Sequence, residues 1–238
     1  MKHLLLLITY LCITFVLHAQ GIKTINISAG GLSSAINSTE RYNITHLTIT
    51  GTIDARDFRI MRDSMQNLSV IDLSGSRIIS YFSSKNRIRL DGTNISRITD
   101  WNTGSDIESL SFNCDEGYNF AIDEVPIFAF RNNGNFESII SPSSATAISY
   151  RAFMACSKLI SFTIPEKITL IENEAFSECS SLKTIIVRSA IPVDLSKNAD
   201  VFEGVPKNSC TLFVPVGSKG KYELAAGWKD FKNIVELE

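Results

Sequence analysis

The chain has 238 residues, a formal net charge of −2, and 20% charged against 44% hydrophobic residues. That balance excludes a disordered acidic or basic tail protein and leaves enough length for one sizeable core or two small ones. Two of its three histidines, His3 and His18, lie in the first 19 residues, so the remainder keeps only His46; metal sites needing two imidazoles are excluded there, and a Ser/His/Asp triad would have to be built on that one residue.

In chain order, Lys2 is followed by an apolar run from Leu4 to Leu17 and then by His18, Ala19 and Gln20. This is the pattern of an export signal, residues 1–19, cleaved after Ala19. Fourteen residues of helix would span only about 21 Å, short of the roughly 30 Å hydrocarbon core, so a permanent anchor is the weaker reading. No later run of comparable apolar length occurs, and the mature chain is expected to be soluble, without an integral membrane segment, and extracellular, at the cell surface or periplasmic. Residues 20–43 read as an N-terminal capping segment, with a short strand over Thr24 to Ser28 and a covering helical turn over Leu32 to Ile36. An open stack of strands needs such protection at its edges.

From Ile44 onward the chain repeats itself. Leu-rich cores begin at Ile44 (Ile44, Leu47, Ile49) and at Leu68 (Leu68, Ile71, Leu73), 24 residues apart. A further core near Ile88 and Leu90 follows from a 22-residue offset to Leu110 and Phe112. The stretch from Ile107 to Phe136 is six residues over the later period, with the surplus falling in Asn113 to Phe120 and just after it. Val125, Ile148 and Ile171 then recur every 23 residues, each opening the pattern Ile/Val-x-x-x-Ala-Phe that ends at Phe130, Phe153 and Phe176. Three more columns keep the period: Asn133, Cys156, Cys179; Phe136, Leu159, Leu182; and Ile139, Phe162, Ile185. A fixed period of 20 to 29 with an L-x-x-L-x-L core marks a leucine-rich repeat. The expected fold is an α/β right-handed solenoid over residues 44–210, with a parallel sheet on the concave face and short helical or turn segments on the convex side. The Ile-x-x-x-Ala-Phe spacing suits a short helical turn that tucks Phe beneath the sheet. At the end, Leu212 to Val214 reads as a last strand and Lys219 to Ala226 as a short helix. With Trp228 and Phe231 sealing the core, they form a cap over residues 211–238.

The repeat Ile-x-x-x-Ala-Phe-x-x-Cys/Asn-x-x-Leu resembles that of the bacterial BspA-type leucine-rich-repeat surface proteins. The closing stretches Leu212-Phe-Val-Pro215-Val-Gly-Ser218 and Gly227-Trp228-Lys-Asp-Phe231 resemble the C-terminal end of such arrays. The resemblance is specific from Val125 to Glu238 and looser from Gly30 to Gly104. It implies an exported binding or adhesion module without catalytic residues.

Alternation within each strand puts one set of side chains in the core and the other on the open sheet face. The outward set is His46, Thr48, Val70, Asp72, Ser109, Ser111, Ser138, Ile140, Ser161, Thr163, Thr184 and Ile186. These residues form the candidate contact surface for a protein or glycan ligand. The alternative is a structural or self-assembling envelope protein. No cofactor or metal is expected: Cys156 and Cys179 read as a buried ladder with Asn133, in which a disulfide is sterically permitted, and no zinc spacing exists. Asp115, Glu116, Asp123 and Glu124 lack the spacing of a calcium loop and read as a solvated acidic cluster; an enzyme using them as acid and base is the weakest reading. Gly217 to Lys221 lacks the spacing of a phosphate loop, and interleaved Asp57 and Asp63 argue against nucleic-acid binding by Arg56, Arg59 and Arg62. Asn26, Asn37, Asn43, Asn67 and Asn94 open N-x-[ST] triplets and read as strand and turn composition.

Overall fold

The computed structural model describes residues 21–82 and 119–238. In chain order it contains β1 (Ile22–Ile27), α1 (Leu32–Ala35), α2 (Ser38–Asn43), β2 (His46–Ile53), α3 (Ala55–Ser64), β3 (Val70–Asp72), β4 (Ser76–Ile78) and β5 (Tyr81–Phe82). There follow β6 (Asn119–Phe120), β7 (Glu124–Val125), β8 (Ser138–Ile140), β9 (Ala147–Ile148), β10 (Ser161–Ile164), β11 (Leu170–Ile171) and β12 (Thr184–Val187). The chain closes with a 3₁₀ turn (Ala199–Phe202), β13 (Thr211–Val214), α4 (Lys219–Leu224) and β14 (Asn233–Glu236).

The main sheet is wholly parallel, in the order β1-β2-β3-β8-β10-β12-β13-β14, with β4 also on β2. A second parallel sheet, β7-β9-β11, joins the opening residues of the repeat: Val125 pairs with Ile148, and Ile148 with Ile171. Among the described residues one large buried cluster runs from Ile27 to Ile234 between strands and turns, and a second, small one gathers Ala55, Phe120, Phe128 and Tyr150. No single coil closes its own apolar edge, and stacking closes all but the ends.

The return half of each repeat is a turn, not the helical turn expected from the spacing. Phe128, Arg151 and Glu174 have φ of 55, 52 and 55°, and Asn132, Ala155 and Glu178 have φ of 61, 57 and 60°. Two left-handed residues per coil cannot propagate a right-handed helix. They let backbone donors point alternately inward and sideways: Ala152 N–H bonds to Ser149 within its own turn, whereas Phe153 N–H crosses to Ala175 O of the next coil at 2.8 Å. Phe130 and Phe176 make the same crossing, to Ala152 O and Val201 O. Each Phe is thereby registered on the next, and the rings form a ladder. Successive centroid distances are 5.5 Å for Phe58–Phe130, 5.6 Å for Phe130–Phe153, 5.1 Å for Phe153–Phe176 and 5.6 Å for Phe176–Phe202.

Val70 and Ser138 pair directly, so β3 and β8 are neighbours in the main sheet; the cores expected near Ile88–Leu90 and Leu110–Phe112 lie outside the described residues. Phe58 of α3 touches Phe130 across the same junction, so the ring ladder continues without a gap. The backbones of Ile78 and Asp123 meet (Asp123 N–H to Ile78 O, 3.0 Å), and the surplus expected from Asn113 falls for the most part outside the described residues. Tyr81 lies antiparallel opposite Phe120, and Arg77 pairs with Asp123 at 3.2 Å. Val70 and Ser138 stand 68 positions apart, close to three 23-residue periods. The candidates Ser109, Ser111, Asp115 and Glu116 lie outside the described residues.

Both ends are closed. At the front, the buried Asp57 carboxylate accepts N–H bonds from Gly30 (2.7 Å), Leu32 (3.0 Å) and Asp54 (3.0 Å), tying α1 to α3. At the back, Leu212 lies on β13, but β13 is not the last strand: β14 pairs beyond it. Trp228 donates its indole N–H to Val193 O at 2.8 Å, Tyr222 its hydroxyl to Ser189 O at 2.8 Å, and Phe202 meets Trp228 and Phe231 at 5.2 Å each.

Candidate functional site

Register aligns the outward side chains of the main sheet into two rows. The first is Ile22, His46, Val70, Ser138, Ser161, Thr184, Thr211 and Asn233. The second is Thr24, Thr48, Asp72, Ile140, Thr163, Ile186, Phe213 and Val235. Their neighbours within each strand, such as Leu47, Ile71, Ile139, Phe162, Ile185 and Leu212, are buried, whereas both rows are at least partly open to solvent. Eight strands at about 4.8 Å make a strip about 34 Å long.

Ten of the twelve sequence candidates fall on this strip in the described residues, and the structure brings Asp72 beside Ile140 and Val70 beside Ser138, neighbours that sequence order conceals. Sequence reasoning missed Ile22, Thr24, Thr211, Phe213, Asn233 and Val235. The core at Leu212 and the alternation around it could have extended the strip to Thr211 and Phe213, but β14 has too short a pattern to announce itself. His46 is exposed at the front, with its Nδ1 2.9 Å from Thr45 Oγ1.

Nothing in the described part of the strip encloses a ligand. Two depressions lie at its edges: one of about 710 Å³ at the front, where Ile22 of the first row meets Lys23, Asn37 and Glu40, and one of about 490 Å³ on the rim between Glu137, Lys158, Ile160 and Lys183. Several ionisable groups pair within the fold. Arg151 holds Glu174 through two bonds of 2.9 and 3.1 Å, Asp54 pairs with Arg56 at 2.6 Å, and Glu124 accepts from Ser149 Oγ. Among the described residues no group of three His, Cys, Asp or Glu side chains is gathered to hold a metal ion.

The cysteine column is a ladder of free thiols. Cys156 Sγ donates to Phe130 O and Cys179 Sγ to Phe153 O, each at 3.2 Å, while Asn133 accepts from the N–H groups of Asn135 and Phe136. Burial pushes the Cys156 thiol well up and that of Cys179 to about 12, so neither ionises near neutral pH. Asn26, Asn37 and Asn67 likewise spend their amides on Thr50, the N-cap of α2 and Tyr42 O.

The family model for the BspA type leucine rich repeat region (6 copies) matches residues 118–195. Residues 118–195 are a BspA-type leucine-rich-repeat region. The match covers the regular coils from β6 to beyond β12, where the Phe ladder and the thiol column run. No curated protein matches the chain. A BspA-type repeat region is a scaffold for protein interaction, generally without catalysis, and proteins that carry it are typically surface or secreted. Among the described residues no helix is long and apolar enough to cross a membrane.

Proposed function

We propose that this protein is an exported adhesion module that captures a protein or glycan ligand on the open face of its main sheet. Supporting this is one observation above all: two aligned rows, mostly of Thr, Ser, Val, Ile and Phe side chains with His46, Asp72 and Asn233 among them, left open along the sheet. A long shallow strip of hydroxyl and β-branched groups offers area to a surface rather than a pocket to a small molecule. The residues that carry contact are His46, Thr48, Val70, Asp72, Ser138, Ile140, Ser161, Thr163, Thr184 and Ile186, together with Thr211 and Phe213.

Thr163 and Thr184 stand on adjacent strands, diagonal to one another. Changing both to Glu puts two carboxylates in the centre of the strip without touching the core. Such a pair desolvated by a partner loses about tenfold or more in affinity. The test is a capture screen of the purified chain and of Thr163→Glu/Thr184→Glu against extracellular matrix proteins, whole cells and glycans. Loss of capture with an unchanged melting temperature supports the face; undiminished capture by the double variant moves the site elsewhere.

A further inference from the structure

We infer that the C-terminal half of this face, from β8 to β14, binds an uncharged, proline-rich segment in the polyproline II conformation. The inference rests on the sheet face being the site and names the chemistry of its partner. Three observations carry it.

The first is charge. The ten outward residues of β8, β10, β12, β13 and β14 are Ser138, Ile140, Ser161, Thr163, Thr184, Ile186, Thr211, Phe213, Asn233 and Val235, none ionisable, in a chain whose residues are 20% charged. A charged peptide finds nothing to pair with there, and burying its charge unpaired is costly. The complement of this surface is itself uncharged.

The second is spacing. In the second row the aliphatic residues Ile140, Ile186 and Val235 stand on alternate strands, β8, β12 and β14. Alternate strands are about 9.6 Å apart. A polyproline II helix turns once every three residues, about 9.3 Å. A segment laid across the strands therefore presents the same side of every third residue to Ile140, Ile186 and Val235 in turn, with a drift of about 0.3 Å per step. An α-helix, at about 5.4 Å per turn against about 4.8 Å per strand, slips by about 2.4 Å across the same five strands. An extended β segment repeats about every 6.7 Å and meets neither one strand nor two. Phe213 stands in the same row between Ile186 and Val235 and adds an aromatic face there.

The third is hydrogen bonding. The parallel row of Ser138, Ser161, Thr184 and Thr211 presents four hydroxyls that bond to no other described residue. A polyproline II backbone makes no internal hydrogen bonds, and its carbonyls need outside donors. Hydroxyls one strand apart, beside an aliphatic row, supply donors along one side of such a segment. Five strands span about 19 Å, which about six residues of polyproline II cover. That conformation is already populated in the free peptide, so little ordering entropy opposes binding.

The test titrates the full chain by calorimetry with three probes: acetyl-decaproline-amide, a Gly-Ser decamer and an alternating Pro-Glu decamer. Decaproline is expected to bind saturably and to change little between about 50 and 500 mM salt, while the other two bind at least about tenfold more weakly. Ile186→Ser/Val235→Ser is expected to weaken decaproline by about tenfold or more, and Thr184→Val/Thr211→Val, which keeps strand propensity and removes two donors, to weaken it several-fold. The second pair keeps the test valid if the first destabilises the sheet. Equal binding of the Gly-Ser probe, or decaproline binding unaffected by both variant pairs, overturns the inference. Absent decaproline binding while Thr163→Glu/Thr184→Glu still abolishes matrix or cell capture overturns it too, and leaves the face as the site. Decaproline binding that survives Thr163→Glu/Thr184→Glu overturns the inference alone, because the peptide then binds away from the face; undiminished matrix or cell capture by the same variant refutes the face as the site.

Discussion

Replacing Phe153 with alanine tests whether the ring ladder, rather than the strands, holds the coils together. Phe153 is 1% exposed, stacks on Phe176 at 5.1 Å with the rings 6° from parallel, approaches Phe130 at 5.6 Å, and receives Phe162 edge-on at 4.7 Å. Its removal takes the side chain's transfer energy and leaves a cavity walled by three rings fixed by cross-coil hydrogen bonds, which cannot collapse inward. The expected loss is about 3–5 kcal/mol, from a total of about 5–15 kcal/mol for a domain. Phe153→Leu keeps much of the volume but loses the three ring pairs, at about 0.5–1.5 kcal/mol each, so roughly 2 kcal/mol is expected. Urea unfolding followed by far-ultraviolet circular dichroism reads both. Because each coil touches only its neighbours, a weakened central coil also uncouples the two halves, and the Phe153→Ala transition is expected to broaden, with a smaller m-value. A loss below about 1.5 kcal/mol for Phe153→Ala with an unchanged m-value refutes the reasoning, since a core residue of this size cannot then be coupling its neighbours.

Three further outcomes follow from the closed ends and the thiol column. Asp57→Ala leaves the N–H groups of Gly30, Leu32 and Asp54 without their acceptor and is expected to cost about 3–5 kcal/mol in the same unfolding assay, whereas Asp57→Asn, which keeps one carbonyl acceptor, costs less. Cys156, Cys179 and Cys210 are buried and unpaired, so a thiol reagent at neutral pH is expected to label none of them in the folded protein and all three in urea, by mass spectrometry of the peptides. Burial raises the folded thiol of Cys179 from 9.0 to about 12 and that of Cys210 to about 11, so their contribution to stability is complete below about pH 9 and is lost as the pH rises from there through 11 and 12. Thermal melts from pH 8 to pH 11 are expected to show that decline, and Cys179→Ala to flatten it.

The regular coils were legible because their columns repeat at 23 residues. Ile148, Ala152, Phe153, Cys156, Leu159 and Phe162 each recur, and each recurrence is a buried position. The outward strip followed from strand alternation alone, which is why His46, Thr48, Ser161, Thr163, Thr184 and Ile186 stand where the pattern put them. The turn geometry was not legible. The four- and five-residue spacing that brings Ala152 and Phe153 inward from Ile148 suits a helical turn and a turn with two left-handed residues equally well, and only the cross-coil bonds of Phe153 and Ala155 select the second. Arg151, Glu174 and Glu178 carry no local signal for φ near +55°, since glycine, which would have announced it, is absent there.

What the amino-acid sequence determined by itself is therefore periodic: a leucine-rich repeat, its inward columns, and the alternation that leaves one face open. Periodicity suffices for these because every coil solves the same packing problem against identical neighbours. Only the tertiary structure decided which coils are neighbours. Val70 beside Ser138, Phe58 against Phe130, and β14 continuing the sheet past β13 depend on contacts between segments that share no period. The Ile140–Ile186–Val235 row on alternate strands arises in the same way, since a row across strands exists only once the strands are paired.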